Sequence, residues 1–351
     1  MRKSLHEFDY MRLVMAILIL LGHCVTFGNG KVFGDTTLYF NRWLGSLAVP
    51  YFFTLSGFFI RLSDDVIRTG KRMAWRLLKL YVIWSILYLP VHIYNAFKAE
   101  SKLSYILGAL KAFAIGNFPL WYLWGGCCGI LLCIVLWKLF NANLKGLLAA
   151  GIVVYLVGSV FKYAVLLRGD FATRIGNAGA IGKFMLTDDF VRNGFVFGFP
   201  FIALGIYLAE KHQEESDLGL RVSIVGFVCS LIFGLVEVRL TYVASGFMYA
   251  ATGNHLKVFL FPATYFLISM LIRISGMTQA KDTTIIRKMA GIIYFVHGEV
   301  RVFVEAVLRY LNTSSYIFNL LSGGLTAVIS ILVAWTMIKM SQKHKVLKKL
   351  Y

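Results

Sequence analysis

Charge is what this chain has least of. Asp, Glu, Lys and Arg together supply 15% of its 351 residues, where a soluble globular protein carries about a quarter. With 58% hydrophobic residues and a mean hydropathy of +0.71, the chain cannot hide its apolar groups in a water-facing fold. Acidic residues are the scarcer sign, 17 against 36 Lys and Arg, giving a net charge of +19. That excess does not point to nucleic acid. The basic residues gather in short loops on one side of the topology below, as the positive-inside rule expects, and they record orientation and contact with anionic lipid. There are only five prolines, and the alternating pattern of an outer-membrane barrel is missing. The five cysteines (Cys24, Cys127, Cys128, Cys133, Cys229) lie in apolar stretches and form neither a CxxC pair nor a zinc-spaced cluster, so they read as free buried thiols and no metal site is expected. No internal repeat, low-complexity tract or linker interrupts the chain. A single membrane-embedded domain over 1–351 is expected, with any chemistry inside the helical bundle.

What is present is a series of apolar runs of about twenty residues, the length that spans a bilayer as helix. About ten can be placed, at 9–28, 42–61, 75–95, 119–138, 144–163, 193–210, 219–237, 256–273, 289–308 and 316–338. The expectation is an all-α, polytopic integral membrane protein with ten transmembrane helices. An even number puts both termini on one side. The Arg2-Lys3 start and the Lys343–Lys349 tail assign that side to the cytoplasm. No small-residue cleavage site closes the first run, so it reads as a retained helix. The stretch 103–117 is too short to span and reads as an interfacial or re-entrant helix. Residues 164–192, with Arg168, Arg174, Lys183, Arg192, Asp170, Asp188 and Asp189, read as an outer loop, either facing substrate or simply solvated.

Polar residues inside such runs are functional candidates because insertion penalises them by about 2.5–3.5 kcal/mol each. Arg12 and His23 stand eleven positions apart in the first run, nearly the same helical face after about 16 Å. A histidine near mid-membrane can act as a general base close to neutral pH. Snorkelling to the interface is the alternative reading of Arg12; His23 lies too deep for that. In the second run Pro50 is expected to bend the helix, and Ser56-Gly57 to allow close approach of a neighbour. The loop after it carries Arg61, Arg68, Lys71, Arg72, Arg76 and Lys79, and Arg72, Arg76 and Lys79 share a face. Such a face suits a phosphorylated ligand and equally suits positive-inside charge. In the ninth run His297, Arg301 and Glu305 repeat at i, i+4 and i+8, an expected ladder of charges. Glu237 and Arg239 close the seventh run, and Trp121-Tyr122 open the fourth, as sugar-binding surface or interfacial belt.

Together these segments resemble the membrane-bound acyltransferase-3 family, which includes bacterial O-acetyltransferases of surface polysaccharides. The D-x-x-R…H pattern of its first helix is matched by Asp9, Arg12 and His23. Its FF-x-x-SGF signature is matched by Phe52-Phe53-Thr54-Leu55-Ser56-Gly57-Phe58. A basic stretch follows, then W-[FY]-L at Trp121-Tyr122-Leu123, then an aromatic-x-x-His at Tyr294 and His297. The likeness covers nearly the whole chain and looks like the stand-alone form, without an appended hydrolase-like domain. The resemblance implies a plasma-membrane enzyme, in a bacterium, that moves an acyl group from cytoplasmic acyl-CoA, most often acetyl-CoA, to a hydroxyl of a surface or lipid-linked glycan. Acyl-CoA enters as co-substrate and no bound cofactor is implied. His23 is then the base and Arg12 its positioning or donor-contacting partner. Arg68, Arg72, Arg76 and Lys79 meet the CoA phosphates, although the family's R-x-x-R spacing appears here only as Arg72-x-x-x-Arg76 and Arg76-x-x-Lys79. Ser56, Trp121, Tyr122, Glu237 and His297 are candidate acceptor or supporting residues. The rival reading is a transporter or flippase for a charged or glycan substrate, which broken helices and intramembrane charge also suit. Against it, the two halves of the chain show no repeat symmetry. A non-catalytic membrane subunit leaves the buried charges unexplained.

Overall fold

The computed structural model describes residues 5–24, 43–116, 120–245, 256–278, 282–313 and 315–351. Arg2 and Lys3, on which the orientation expectation leans, lie outside them. The described residues are helical, with no strand. Fourteen α-helices follow in order: α1 His6–Cys24, α2 Ala48–Arg61, α3 Val66–Leu87, α4 Leu89–Lys98, α5 Lys102–Ile115, α6 Trp121–Leu139, α7 Leu144–Leu167, α8 Gly169–Asn177, α9 Gly179–Leu186, α10 Phe199–Gln213, α11 Leu220–Ala244, α12 Leu260–Met277, α13 Thr284–Tyr310 and α14 Ser315–Lys343. Among the described residues seven helical segments are long and apolar enough to cross a membrane: Leu44–Arg61, Trp121–Leu139, Leu144–Leu167, Gly194–Gln213, Leu220–Ala244, Leu260–Met277 and Leu321–Lys343. The expected runs at 9–28, 75–95 and 289–308 are not among them. Two of these, in α1 and α13, carry the polar residues singled out above. The third is broken, because α3 stops at Leu87 and α4 restarts at Leu89 with Pro90 in its first turn, where a missing N–H costs no helical bond.

The chain divides into two compact units: Met1–Phe52, Ser216–Tyr242 and Phe259–Tyr351 form the first, and Phe53–Glu215 with Val243–Val258 the second.

The second unit is built on close backbone approach. A methyl group at Gly57 would lie 2.0 Å from the Ile202 carbonyl oxygen, and one at Gly205 would lie 1.9 Å from the Thr54 carbonyl oxygen. α2 and α10 therefore cross where each presents a glycine, as expected of Ser56-Gly57. Gly125 and Gly129 of α6 meet a single π-helical turn, Gly194–Gly198, whose exposed N–H groups at Phe195 and Val196 donate to the Asn193 side-chain oxygen at 2.8 Å each. Three expectations are corrected here. Pro50 sits in the first turn of α2, directly after a 3-10 turn at Leu44–Leu47, so its irregularity falls at the helix start and does not bend the interior. The basic stretch is not a loop: α3 begins at Val66, capped by Asp65, which accepts from the Arg68 N–H at 2.8 Å, so Arg68 to Lys79 lie on helix. The stretch 164–192 is largely α8 and α9, because Phe161, Phe171, Phe184 and Phe190 stack edge to face and pull it into helical packing. The short stretch at 103–117 does form a helix, α5, capped by Ser101, with Leu103, Leu107 and Leu110 exposed.

The first unit contains α1 and α11 to α14. α13 packs along both α1 and α14. The N-terminal part of α2 joins it through the Tyr51 hydroxyl, which donates to the Phe8 carbonyl at 2.7 Å.

Candidate functional site

The polar residues of α1 and α13 face one another along a single seam in the first unit. At one end Asp9, almost fully buried, accepts hydrogen bonds from the Arg12 guanidinium of its own helix and from the Thr283 hydroxyl at 2.7 Å. The Arg287 guanidinium approaches the same carboxylate at 3.7 Å. At the other end the His23 ring stacks on the His297 ring, with centroids 5.4 Å apart and planes 7° from parallel. Arg301 donates from Nη1 to the His23 carbonyl at 2.7 Å. Asp9 to His23 and Thr283 to His297 are both intervals of fourteen residues. The two helices therefore run parallel and in register for about 21 Å.

Local geometry fixes the His297 ring. Its Nδ1 lies 2.7 Å from the Tyr294 carbonyl oxygen and 3.3 Å from that of Ile293, so Nδ1 carries the proton and donates back to its own helix. Nε2 is then the acceptor nitrogen. It sits in a side chain that is 0% exposed and makes no hydrogen bond to a described residue. The expected ladder of His297, Arg301 and Glu305 is found shifted by one turn: His297 bonds its own helix, while Arg301 pairs with Glu305 at 3.6 Å and Glu305 with Arg309 at 3.3 Å. Such i,i+4 pairs let α13 keep charge without isolated ions.

Arg12 and His23 thus occupy opposite ends of one seam. His297 and Arg301 join His23. Thr283 and Arg287, which join Asp9 and Arg12, were not singled out from sequence. Their only signal is position: Thr283 and Arg287 lead into α13 just as Asp9 and Arg12 lead into α1. Glu237 has a structural task, accepting from the Phe259 N–H at 3.1 Å at the start of α12.

The remaining candidates lie in the second unit. Trp121 and Tyr122 pack against Phe53, with Tyr122 at 4.8 Å and Trp121 at 6.3 Å, and Trp121 also meets Phe197. Ser56 is half-buried on α2. Arg68, Arg72 and Arg76 project from one exposed face of α3 and form no ion pair with described residues. Lys79, exposed on the same helix, lies over the Trp75 ring at 5.2 Å. Among the described residues no group of His, Cys, Asp and Glu has the geometry to hold a metal ion.

The acyltransferase-3 family model, described as an acyltransferase domain, matches residues 5–339. The chain belongs to this family. An acyltransferase domain therefore takes in both α1, with Arg12 and His23, and α13, with His297 and Arg301. An amino-acid racemase of Enterococcus faecalis is 27% identical over 217 residues, covering 60% of this chain and 29% of that protein. A second amino-acid racemase of the same species is 24% identical over 365 residues, covering 99% of this chain and 48% of that protein. The chain spans less than half the length of these curated relatives. No solved structure matches it significantly.

Proposed function

We propose that the protein is a membrane O-acyltransferase that takes an acetyl group from acetyl-CoA and passes it to a hydroxyl of a cell-surface or lipid-linked glycan. One observation carries this reading beyond family membership: His23 is held by a stacked imidazole and by an arginine on its own carbonyl, at the end of a seam of paired charges. Acyl transfer needs a positioned base, and fixed geometry is what makes a base efficient. His23 takes the proton of the acceptor hydroxyl as its oxygen attacks the thioester carbon. The carbon–sulfur bond breaks, and the CoA thiolate recovers that proton. The exposed cations of α3 (Arg68, Arg72, Arg76 and Lys79) suit the phosphates of the donor, since guanidinium forks match phosphate oxygens. Arg12, fixed by Asp9, orients the helix on which His23 stands.

The name of the racemase relatives is not carried over, because more than half the length of each lies outside what this chain matches. The test is acetyl-CoA consumption by purified protein in lipid. His23→Ala should lower it by about 10²- to 10⁴-fold, the range of general-base catalysis, with unchanged thermal unfolding. Movement of a glycan or charged substrate across the membrane with no CoA released would replace this reading by the transporter one.

A further inference from the structure

The buried face of α14, which packs on α13 and α1, carries a feature that acyl transfer by His23 does not use. Ser322, Thr326 and Ser330 repeat at i, i+4 and i+8, are each 0% exposed, and have hydroxyls with no oxygen or nitrogen partner among the described residues. Most buried helix hydroxyls elsewhere in the described residues behave differently, Thr54 and Ser85 being exceptions. Ser159, Ser223, Ser230, Thr241, Thr264 and Ser269 all donate to the carbonyl four residues back, and Ser341, on α14 itself, donates to Ile338 at 2.7 Å. Of the five buried hydroxyls left unpartnered among the described residues, three are on this one stripe. Farther along the same face the buried residues become apolar, Ala334 and then Ile338.

The stripe lies level with the imidazole pair. His297 is fifteen residues before Asn312, in the turn between α13 and α14, and Thr326 is fourteen after it, so the two sit at about the same depth. Independently, the Thr326 side chain hydrogen-bonds the Cys24 thiol, next to His23, a soft partner that leaves the hydroxyl most of its capacity. His297 Nδ1 is turned back to its own helix, so Nε2 points into the interior that α13 shares with α1 and α14. Three buried polar atoms on two packed helices, Ser322 Oγ, Ser330 Oγ and His297 Nε2, therefore lack partners among the described residues, and the fourth, the Thr326 hydroxyl, meets only a thiol. The three hydroxyls can donate and accept, and Nε2 can only accept. Dry, this arrangement is costly; with water, each atom is satisfied, because water donates to Nε2 and bridges hydroxyls a turn apart.

We propose that Ser322, Thr326 and Ser330 form a hydration lane. It leads from the turn between α13 and α14 to His297 Nε2 and closes at Ala334. Water enters from the turn end, and a molecule level with Thr326 donates to Nε2. The inference does not depend on the acyl-transfer reading, and its test needs no substrate.

The experiment is cysteine labelling of the full-length protein in lipid with a small cationic thiosulfonate, read peptide by peptide by mass spectrometry. S322C, T326C and S330C should react at least about tenfold faster than A334C and I338C, since the reactive thiolate forms only in contact with water. In the unaltered protein Cys24, beside Thr326, should label while Cys133, fully buried in the second unit, should not. Equal rates at all five positions, or no reaction at any, overturn the proposal. Should a cysteine variant fail to fold, Thr326→Val supplies a second reading. Removing a hydrated hydroxyl leaves the melting temperature unchanged or lower, whereas removing a dry, unpartnered one raises it. A rise sinks the lane.

Discussion

The two units are held together by opposite means. The second is joined where glycines let backbones touch: Gly57 on Ile202, Gly205 on Thr54, Gly194 on Gly125. The first is joined along α1 and α13 by groups that satisfy one another across a seam: Asp9 with Thr283 and Arg287, His23 with His297 and Arg301. Close approach is a matter of shape, and dispersion rewards it wherever it occurs. A polar seam is rewarded only when every partner is present, because a lone buried charge costs far more than the pair returns. Packing of the first kind is unforgiving at the crossing itself, where even a methyl group meets backbone. The second is least tolerant where charge is buried, at Asp9, while changes at His23 or Arg301 leave no ion stranded and disturb the geometry a reaction needs.

That contrast can be broken in several ways. Gly57→Val should have the largest effect on folding, because its Cβ has no room beside the Ile202 carbonyl; a loss of about 3 kcal/mol should show in denaturant unfolding, and Gly57→Ala should be milder. Asp9→Ala should cost about as much, near 3 kcal/mol, by leaving Arg12 and Arg287 facing each other. Asp9→Asn should recover part of this, since an amide oxygen still accepts from Thr283. Wild-type stability in Asp9→Ala would remove the seam from the account of the fold. Arg301→Gln should spare folding but lower acetyl-CoA turnover by about tenfold, the worth of one charged hydrogen bond. Arg76→Glu, in the other unit, should raise the KM for acetyl-CoA severalfold with kcat held, the signature of lost binding alone. An unchanged KM would remove the α3 face from donor binding. The smallest effect belongs to Asp282, fully exposed before α13, whose carboxyl is held below its ordinary range by the Thr284 side chain and then by the Thr284 N–H. Its contribution is present above the ordinary carboxylate range and lost as pH falls through the lowered value, so Asp282→Asn should flatten the acid side of a stability–pH curve only slightly.

Much of this was legible in the residues. Long apolar runs announced helices, Ser56-Gly57 announced a close crossing, and spacing announced the Arg301–Glu305 pair. Local signals failed where tertiary partners decided. Nothing near Asp9 indicates that its hydroxyl donor is Thr283, 274 positions away. The stretch at 164–192 looked like a loop because its charges masked the four phenylalanines that fold it. The basic run looked like a loop because charge was read before the Asp65 cap. The stripe at Ser322, Thr326 and Ser330 was visible as a spacing, but its meaning was not. Hydroxyls on membrane helices ordinarily bond their own backbone, and only the structure shows that these do not.

The matched fourteen-residue intervals on α1 and α13 have a mechanical corollary. Two rods pinned to each other at both ends form a gauge of fixed length. Any axial slip imposed where Asp9 grips Thr283 arrives undiminished at the imidazole stack, whereas a tilt about one end would open the other like scissors. The molecule thus carries its own measure between an ionic clasp and a pair of aromatic rings, and a helix sliding by a single turn would part both at once.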